Sequence, residues 1–220
     1  MAPPPGVVSI PTRGLVIVAF GDSLTVGYQS PTYDETLPQP TPYTSILSKR
    51  VDEMLRGGKP TFSVKFLNKG IIGELTDEMA GRFTRDVFEP RPDAVIILGG
   101  SNDLGWGLEP SGIAKNLAGM YDKALKSGIR PVACTVPSVL GYDEGIPPRR
   151  QLNGLIKSYS AALGIHCVDL FTATADSAGR LREEFSNDGL HLSPLGYEAM
   201  ADAIFTDAVQ EIVRALQAPG

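Results

Sequence analysis

Residues 15–25, with the sequence LVIVAFGDSLT, decide the fold of this chain. The first six are apolar without polar alternation, which is typical of a β-strand that is buried on both faces of a sheet. The Gly-Asp-Ser that follows places Ser23 at the carboxyl end of this strand, where open α/β sheets bind ligands. Asp and Ser are also common in turns and as helix caps, so this segment alone is compatible with both a nucleophile and a simple turn.

Further apolar segments alternate with helical patterns along the rest of the chain. Strands are predicted at 15–20, 63–68, 93–99, 131–136 and 166–170, and helices at 43–55, 76–88, 112–126, 151–163 and 194–216. Right-handed crossovers between parallel strands place helices on both faces of the sheet. The sequence therefore predicts a three-layer α/β/α sandwich with a central, mainly parallel, five-stranded sheet.

Length and charge narrow the classes of protein to which the chain can belong. Its 220 residues suit one domain, which we expect at 15–217 after an N-terminal extension at 1–14. The net charge is −5 and no run of like charges occurs, so no surface for nucleic acid or an anionic membrane is indicated. The apolar stretches are strand-sized, and no membrane span is predicted.

The N-terminus and the cysteines bear on the compartment. The first residues have neither the basic nor the apolar region of a signal peptide, which favours the cytoplasm unless a signal peptide has been removed. Cys134 and Cys167 both fall in predicted strands without metal-ligand spacing, so buried thiols are expected.

Small and polar residues also follow the second and third predicted strands. Gly73 and Asn102 should lie near Ser23, because the carboxyl ends of parallel strands meet at one edge of a sheet. If Ser23 attacks a carbonyl, the N–H groups of Ser23 and Gly73 and the Asn102 amide could stabilise the oxyanion. Taken singly, Gly73 also fits a turn and Asn102 a loop or cap, so their joint placement carries the hypothesis.

A histidine and an aspartate near the end of the chain could activate Ser23. Neutral imidazole is the usual acceptor for a serine proton, and His191 has Asp188 three residues before it, a spacing at which one turn brings the carboxylate to the ring. An Asp-Gly turn before a helix is the alternative interpretation. The second histidine, His166, begins an apolar strand and is expected to be structural.

Two loops are expected beside these residues. Segment 28–44 contains four prolines and follows the Ser23 turn, and segment 137–150 follows the fourth strand. Both belong at the carboxyl edge of the sheet, where loops shape binding pockets. They are candidate substrate walls, and a plain connecting role fits equally well.

Four sequence blocks together resemble the SGNH (GDSL) hydrolase family. They are Gly-Asp-Ser-Leu at 21–24, Gly73 within Gly-Ile-Ile-Gly-Glu-Leu-Thr, Gly-Gly-Ser-Asn-Asp at 99–103, and Asp-Gly-Leu-His-Leu at 188–192. The blocks occur in family order and span most of the chain. One departure is Ser101, which stands where many members have another small residue before the asparagine.

The resemblance implies a flavodoxin-like fold and the hydrolysis of carboxylic esters through an acyl-serine intermediate. By it, Ser23 is the nucleophile, Asp188 and His191 complete a triad, and Gly73 and Asn102 complete the oxyanion hole. It implies no metal or organic cofactor and a small-molecule ester as substrate, with short acyl groups favoured. A carbohydrate O-deacetylase is the alternative enzyme within the family. A non-catalytic nucleotide-binding module of the same fold and a catalytically silent, carbohydrate-binding relative are the non-enzymatic alternatives.

Overall fold

The computed structural model describes residues 14–31, 38–56 and 63–217. Apart from Gly14, the expected N-terminal extension lies outside the described residues, as do residues 32–37 of the first candidate substrate wall. Among the described residues, no helix combines the length and the apolar character that crossing a membrane requires.

A five-stranded parallel sheet forms the middle layer. Its strands are β1 (Leu15–Gly21), β2 (Val64–Gly70), β3 (Ala94–Leu98), β4 (Arg130–Cys134) and β5 (His166–Val168). They lie in the order β2-β1-β3-β4-β5, with Ile17 of β1 opposite Phe66 of β2 and Ala94 of β3. The chain thus reverses its direction across the sheet between β1 and β3, which creates a crevice at their carboxyl ends.

Helices cover both faces of this sheet. The longer ones are α2 (Tyr43–Leu55), α3 (Thr76–Phe83), α5 (Pro110–Lys126), α6 (Ile146–Leu163), α8 (Pro194–Ile204) and α9 (Gln210–Gln217). Single π-helical turns, Thr84–Phe88 and Phe205–Val209, continue α3 and join α8 to α9. The predicted three-layer α/β/α architecture is confirmed.

The remaining α-helices of the described residues are short, and each directly follows a strand. They are α1 (Ser23–Val26), α4 (Ser101–Gly105) and α7 (Leu170–Thr174). Four or five residues are too few to show helical periodicity, so the sequence did not predict them. Two of them carry candidate site residues, namely Ser23 on α1 and Asn102 on α4.

Two apolar layers hold the sandwich together. Alternate residues of β1 point to opposite faces, so that Ile17 joins a cluster with α2 and α8, while Val18 joins one with α3, α5 and α6. Both layers are buried, which explains why the inner strands β1 and β3 lack polar alternation, whereas the edge strand β2 contains polar residues and is only partly buried.

Candidate active site

The turn after β1 presents Ser23 as the first residue of α1. Asp22 caps this helix, its Oδ1 accepting from the Leu24 N–H at 2.9 Å. The N–H groups of Thr25 and Val26 both bond to the Asp22 carbonyl. No acceptor within the described part of the chain is seen for the Ser23 N–H, which is one of the unpaired donors of a helix start.

Gly21 precedes this turn because β1 and β3 approach closely there. A Cβ at Gly21 would lie 2.2 Å from the Leu98 carbonyl oxygen and 2.4 Å from Thr25 Oγ1. Any larger residue would therefore push the nucleophile turn away from the end of β3. The glycine fixes Ser23 above the β1/β3 crevice.

The chain brings Ser23, His191 and Asp188 together across 168 residues of sequence. Ser23 Oγ lies 3.2 Å from His191 Nε2, and His191 Nδ1 lies 2.7 Å from Asp188 Oδ2. The two ring nitrogens thus face a hydroxyl on one side and a carboxylate on the other. This arrangement lets the imidazole accept a proton from Ser23 while the carboxylate orients the ring.

Asp188 is held ionised by its surroundings. Its Oδ1 accepts from the backbone N–H groups of Leu190 at 2.9 Å and His191 at 2.8 Å, and Ser186 Oγ donates to it at 3.3 Å. Partial burial opposes ionisation, but the bonds from the His191 ring and the backbone outweigh it and keep the pKa of Asp188 well below its usual range.

Asp22 shows the opposite behaviour immediately beside the nucleophile. Its carboxyl group is buried, and Oδ2 has no hydrogen-bond partner within the described part of the chain. Burial raises the pKa of Asp22 to about 7, although the Leu24 N–H and the nearby His191 favour the charged form. The residue has a structural role as the cap of α1.

The other two candidate residues lie on the loop after β2 and on α4. Gly73 has φ +78° and no atom within 4 Å of a Cβ built on it, so its backbone is open to an approaching group. Its N–H has no acceptor in the described segments. Asn102 Nδ2 donates one hydrogen to the Glu74 carbonyl at 3.0 Å, which fixes the amide plane and leaves the second hydrogen for a ligand.

Asn102 is not the helix cap that the alternative interpretation required. Its neighbour Asp103 instead binds the start of α3, because Asp103 Oδ1 and Oδ2 each lie 3.1 Å from the Thr76 N–H. Thr76 Oγ1 also donates to Asp103, at 2.5 Å. The two adjacent side chains thus make different contacts, since Asp103 binds the start of α3 and Asn102 binds the Glu74 carbonyl next to Gly73.

Glu74 and Arg82 were missed by the sequence analysis. The buried Arg82 guanidinium forms an ion pair with the Glu74 carboxylate, bonds to Asp86 at 3.0 Å, and reaches the Gly21 carbonyl at 3.2 Å. Since Glu74 follows Gly73 and accepts from Asn102, this arginine ties the oxyanion candidates to the end of β1. The sequence does contain this pair of opposite charges eight positions apart, but such pairs are common on protein surfaces and do not by themselves indicate a buried ion pair.

Two tyrosines support the His191 ring. The Tyr28 ring packs edge-on against the His191 ring, with centroids 4.6 Å apart. Tyr197 on α8 donates to the Tyr28 carbonyl at 2.7 Å and so anchors this contact. Tyr28 belongs to the first candidate wall loop, whose described part therefore does reach the site. Nothing in the sequence distinguished either tyrosine from a core residue.

A cavity of about 470 Å³ is bordered by two of the candidate site residues, Asn102 and Asp188. Its walls include Asn102, Trp106, Tyr142, Arg149 and Leu190. The second wall loop, 137–150, contributes four residues to its lining, which supports a substrate-binding role for that loop. Trp106 and Tyr142 are largely exposed at 78% and 59%, so two aromatic faces are available at the rim.

The remaining reactive residues lie away from this site. His166 Nε2 is 3.8 Å from Glu211 Oε1 on α9, as expected for a structural residue. Cys134 is buried, but Cys167 is only half-buried, and both are free thiols. In the described ranges, no group of three or more His, Cys, Asp and Glu side chains could hold a metal ion.

Sequence comparison gives one family match. The model of the GDSL-like Lipase/Acylhydrolase family matches residues 19–199, a span that contains all five candidate site residues. No curated protein matches the chain.

Solved structures of several hydrolases share the fold. A lipase/acylhydrolase from Enterococcus faecalis is 26% identical, with a TM-score of 0.68 over 94% of this chain and 99% of that chain. A variant of an acetyl-xylooligosaccharide esterase from Geobacillus Stearmophilus is 20% identical, with a TM-score of 0.71 over 92% and 95%. A lipolytic protein of the G-D-S-L family from Desulfitobacterium hafniense is 21% identical, with a TM-score of 0.69 over 86% and 97%.

Proposed function

The chain belongs to the GDSL-like lipase/acylhydrolase family and is a hydrolase that acts on esters, and from this premise we propose that it is a serine esterase with an acyl-serine intermediate. The single observation that carries the proposal is the continuous contact from Ser23 Oγ through the His191 ring to the Asp188 carboxylate. Each contact is within the range in which a nucleophile, its base and the orienting group act together.

Acylation begins with attack of Ser23 Oγ on the ester carbonyl. As the O–C bond forms, the hydroxyl proton passes to His191 Nε2, and the negative charge that develops on the carbonyl oxygen is met by N–H donors. We assign these donors to the Ser23 and Gly73 backbones and to the free hydrogen of Asn102 Nδ2. When the tetrahedral intermediate collapses, His191 returns the proton to the leaving alcohol.

Deacylation repeats the same steps with water as the nucleophile. His191 accepts a proton from water as the water oxygen attacks the acyl carbonyl. Collapse of this second tetrahedral intermediate breaks the bond to Ser23 Oγ, to which His191 returns the proton, and releases the carboxylic acid. The ionised Asp188 stabilises the imidazolium in both halves of the reaction.

The substrate is proposed to be a small ester with a short acyl group. A cavity of about 470 Å³ is within the range of small-molecule sites, and it must also hold part of the alcohol. Removal of acetyl groups from a carbohydrate is the second candidate function. The exposed Trp106 and Tyr142 faces favour it, because aromatic faces supply flat apolar surface against which a sugar ring can pack.

The nucleophile is tested by active-site labelling. A serine-directed phosphonate should modify Ser23 alone, as located by peptide mass spectrometry, and Ser23→Ala should lose both the label and nearly all hydrolysis of nitrophenyl acetate while its thermal unfolding is unchanged. Labelling of a different serine, or an active Ser23→Ala protein, would contradict the assignment. A folded parent protein that cleaves no ester would instead favour a binding module.

The acyl group is tested separately from the nucleophile. The parent protein should cleave nitrophenyl esters of two to four carbons with a higher kcat/KM than those of eight or more. Acetylated xylo-oligosaccharides tested beside them separate the two candidate functions, since a deacetylase should release acetate from them at a higher kcat/KM than from nitrophenyl acetate. A preference for long acyl chains would refute the short-acyl proposal and leave the triad assignment standing.

A further inference from the structure

The cavity bordered by Asn102 and Asp188 contains a buried cation for which the proposed mechanism has no use. Arg149, in the first turn of α6, is only 3% exposed. Its Nη1 donates to the Gly145 carbonyl at 3.1 Å, and Nη2 lies at a long 3.4 Å from Ser101 Oγ. Its Nε has no acceptor, and no carboxylate within the described ranges forms an ion pair with it.

The charge of Arg149 persists despite this burial. Desolvation lowers the pKa of Arg149 to about 10, so the guanidinium is protonated at neutral pH. A buried charge without a counter-ion is costly, and an apolar side chain of similar size would serve packing better. A partner that is not part of the described chain would remove this cost.

The position of Arg149 indicates where such a partner would lie. Its guanidinium shares the cavity wall with Asn102 and with the aromatic rim of Trp106 and Tyr142. Asp188 also borders this cavity, but its oxygens already accept from the His191 ring and from two backbone N–H groups. The charge left without a partner in the cavity is therefore positive.

We propose that this cavity binds a carboxylate carried by the ester substrate, with Arg149 as the group that receives it. The proposal rests on the esterase function above and specifies its substrate class. One unpaired positive charge matches a monoanion better than a phosphate, which carries nearly two charges at neutral pH. The carboxylate could belong to the acyl or to the alcohol part of the ester. With either attachment, a carboxylate at Arg149 allows the scissile carbonyl to lie near Asn102, which borders the same cavity.

Matched acid and amide esters test the proposal and separate the two sources. For the acyl side, the monomethyl esters of succinic, glutaric and adipic acid are compared with the same esters in which CONH₂ replaces the free carboxylate. For the alcohol side, 4-acetoxybutanoate is compared with 4-acetoxybutanamide. On one of the two sides, kcat/KM should favour the acid by about tenfold or more, after subtraction of the enzyme-free rate.

Three variants assign that preference to Arg149. Arg149→Met should abolish the acid preference and leave the amide ester much less affected, while Arg149→Lys, which keeps the charge, should retain part of it. The matched control is Arg150→Gln, because the neighbouring guanidinium lies over Phe171 in a different cleft and donates to the Ala178 carbonyl. This control should keep the full preference.

Inhibition of the unmodified protein provides a measurement that does not depend on folding of a variant. Glutarate should inhibit hydrolysis of nitrophenyl acetate competitively and at lower concentration than glutaramide. Equal inhibition together with equal rates on acid and amide esters would overturn the inference. So would an Arg149→Met protein that loses both rates in proportion, because this result would assign Arg149 to the oxyanion environment.

The inference and the proposed function fail in different ways. If Ser23 is not the nucleophile, the phosphonate label appears elsewhere or no ester is cleaved. If only the inference is wrong, Ser23 is labelled, esters are cleaved, and the acid and amide substrates react alike.

Discussion

The two segments that meet at the Ser23–His191 contact each bring an aspartate, and the two carboxylates are in opposite states. In the turn at 21–27, Asp22 is buried with one oxygen unpaired, and its pKa is raised to about 7. In the loop at 186–193, the Asp188 side chain is 28% exposed and receives several donors, and its pKa is lowered. The ionisation of each aspartate is therefore set by how many hydrogen-bond donors its carboxylate receives and by how deeply it is buried. How close each aspartate lies in sequence to Ser23 or His191 does not set it.

Because of this difference, Asp188 and Asp22 have different roles in the site. Asp188 can stabilise a positive charge on His191, because it is already negative and points at Nδ1. Asp22 supports its neighbour through backbone geometry, because its cap bond to the Leu24 N–H shapes the turn that presents Ser23. An uncharged side chain of the same shape, such as asparagine, could therefore replace Asp22 as the helix cap, but it could not replace Asp188 as the negative charge beside His191.

Replacing Asp188 should have the largest effect of the variants that probe this contrast. Asp188→Asn is expected to lower kcat by roughly 1,000-fold or more, because an amide neither balances the imidazolium charge nor selects the productive ring tautomer. The measurement is kcat for nitrophenyl acetate, with far-UV circular dichroism to check the fold. Activity within tenfold of the parent would show that the Asp188 charge is not used.

Substitution of Asn102 by aspartate would place a third carboxylate in the same site, at a position where the parent side chain is itself the hydrogen-bond donor. Asn102→Ala should slow acylation by roughly 100-fold, because one oxyanion donor is lost. Asn102→Asp should be slower still, since negative charge then stands beside both the forming oxyanion and the Glu74 carbonyl that now accepts from the amide.

Single-turnover acylation rates of the two Asn102 variants decide this point, because they exclude effects on deacylation. Thermal unfolding of each variant serves as the control for folding. An aspartate variant that acylates as fast as the parent would remove Asn102 from the oxyanion hole while leaving Ser23 and His191 in place.

Asp22 should show the smallest effect on catalysis and a distinct effect on stability. Asn is as good a helix cap as Asp, so Asp22→Asn should keep kcat within a few-fold of the parent. Because the folded pKa is about 7 and the ordinary value is near 4, the folded state holds its proton more tightly than the unfolded chain. The parent therefore loses stability as the pH rises from about 4 through 7, by up to about 4 kcal/mol.

Urea unfolding at several pH values measures this contribution. The free energy of unfolding of Asp22→Asn minus that of the parent should increase as pH rises from 4 to 8. Asp22→Ala, which also removes the cap, should lie below Asp22→Asn by about 1 kcal/mol at every pH. A pH-independent difference between Asn and the parent would mean that Asp22 titrates normally.

Local patterns account for the part of the fold that the sequence predicted. The helix at 43–55 has the predicted bounds, and each predicted strand lies within two residues of its observed ends, because continuous apolar runs and helical periods are encoded in neighbouring residues. The start of α6 was placed five residues too late, at 151 instead of Ile146. Two prolines stand in its first turn, where the missing N–H groups are not needed.

The site was predicted where its residues follow strand ends and was missed where it depends on contacts between distant segments. Ser23, Gly73 and Asn102 could be placed at one sheet edge from topology alone. The bond from Arg82 to the Gly21 carbonyl spans 61 residues. The lack of a counter-ion for Arg149 depends on the side chains of all the elements that surround it. Neither follows from spacing, since both require knowledge of which side chains fill the space between the elements.

The 168 residues between Ser23 and His191 have a consequence for synthesis of the protein. Ser23 leaves the ribosome early, and at about 5 to 20 residues per second His191 follows roughly 10 to 30 seconds later. On the proposed mechanism, the growing chain therefore holds a serine that has no base throughout this interval. The same mechanism predicts that activity appears only after the segment that follows β5 has docked, and that a chain stalled before that point hydrolyses no ester.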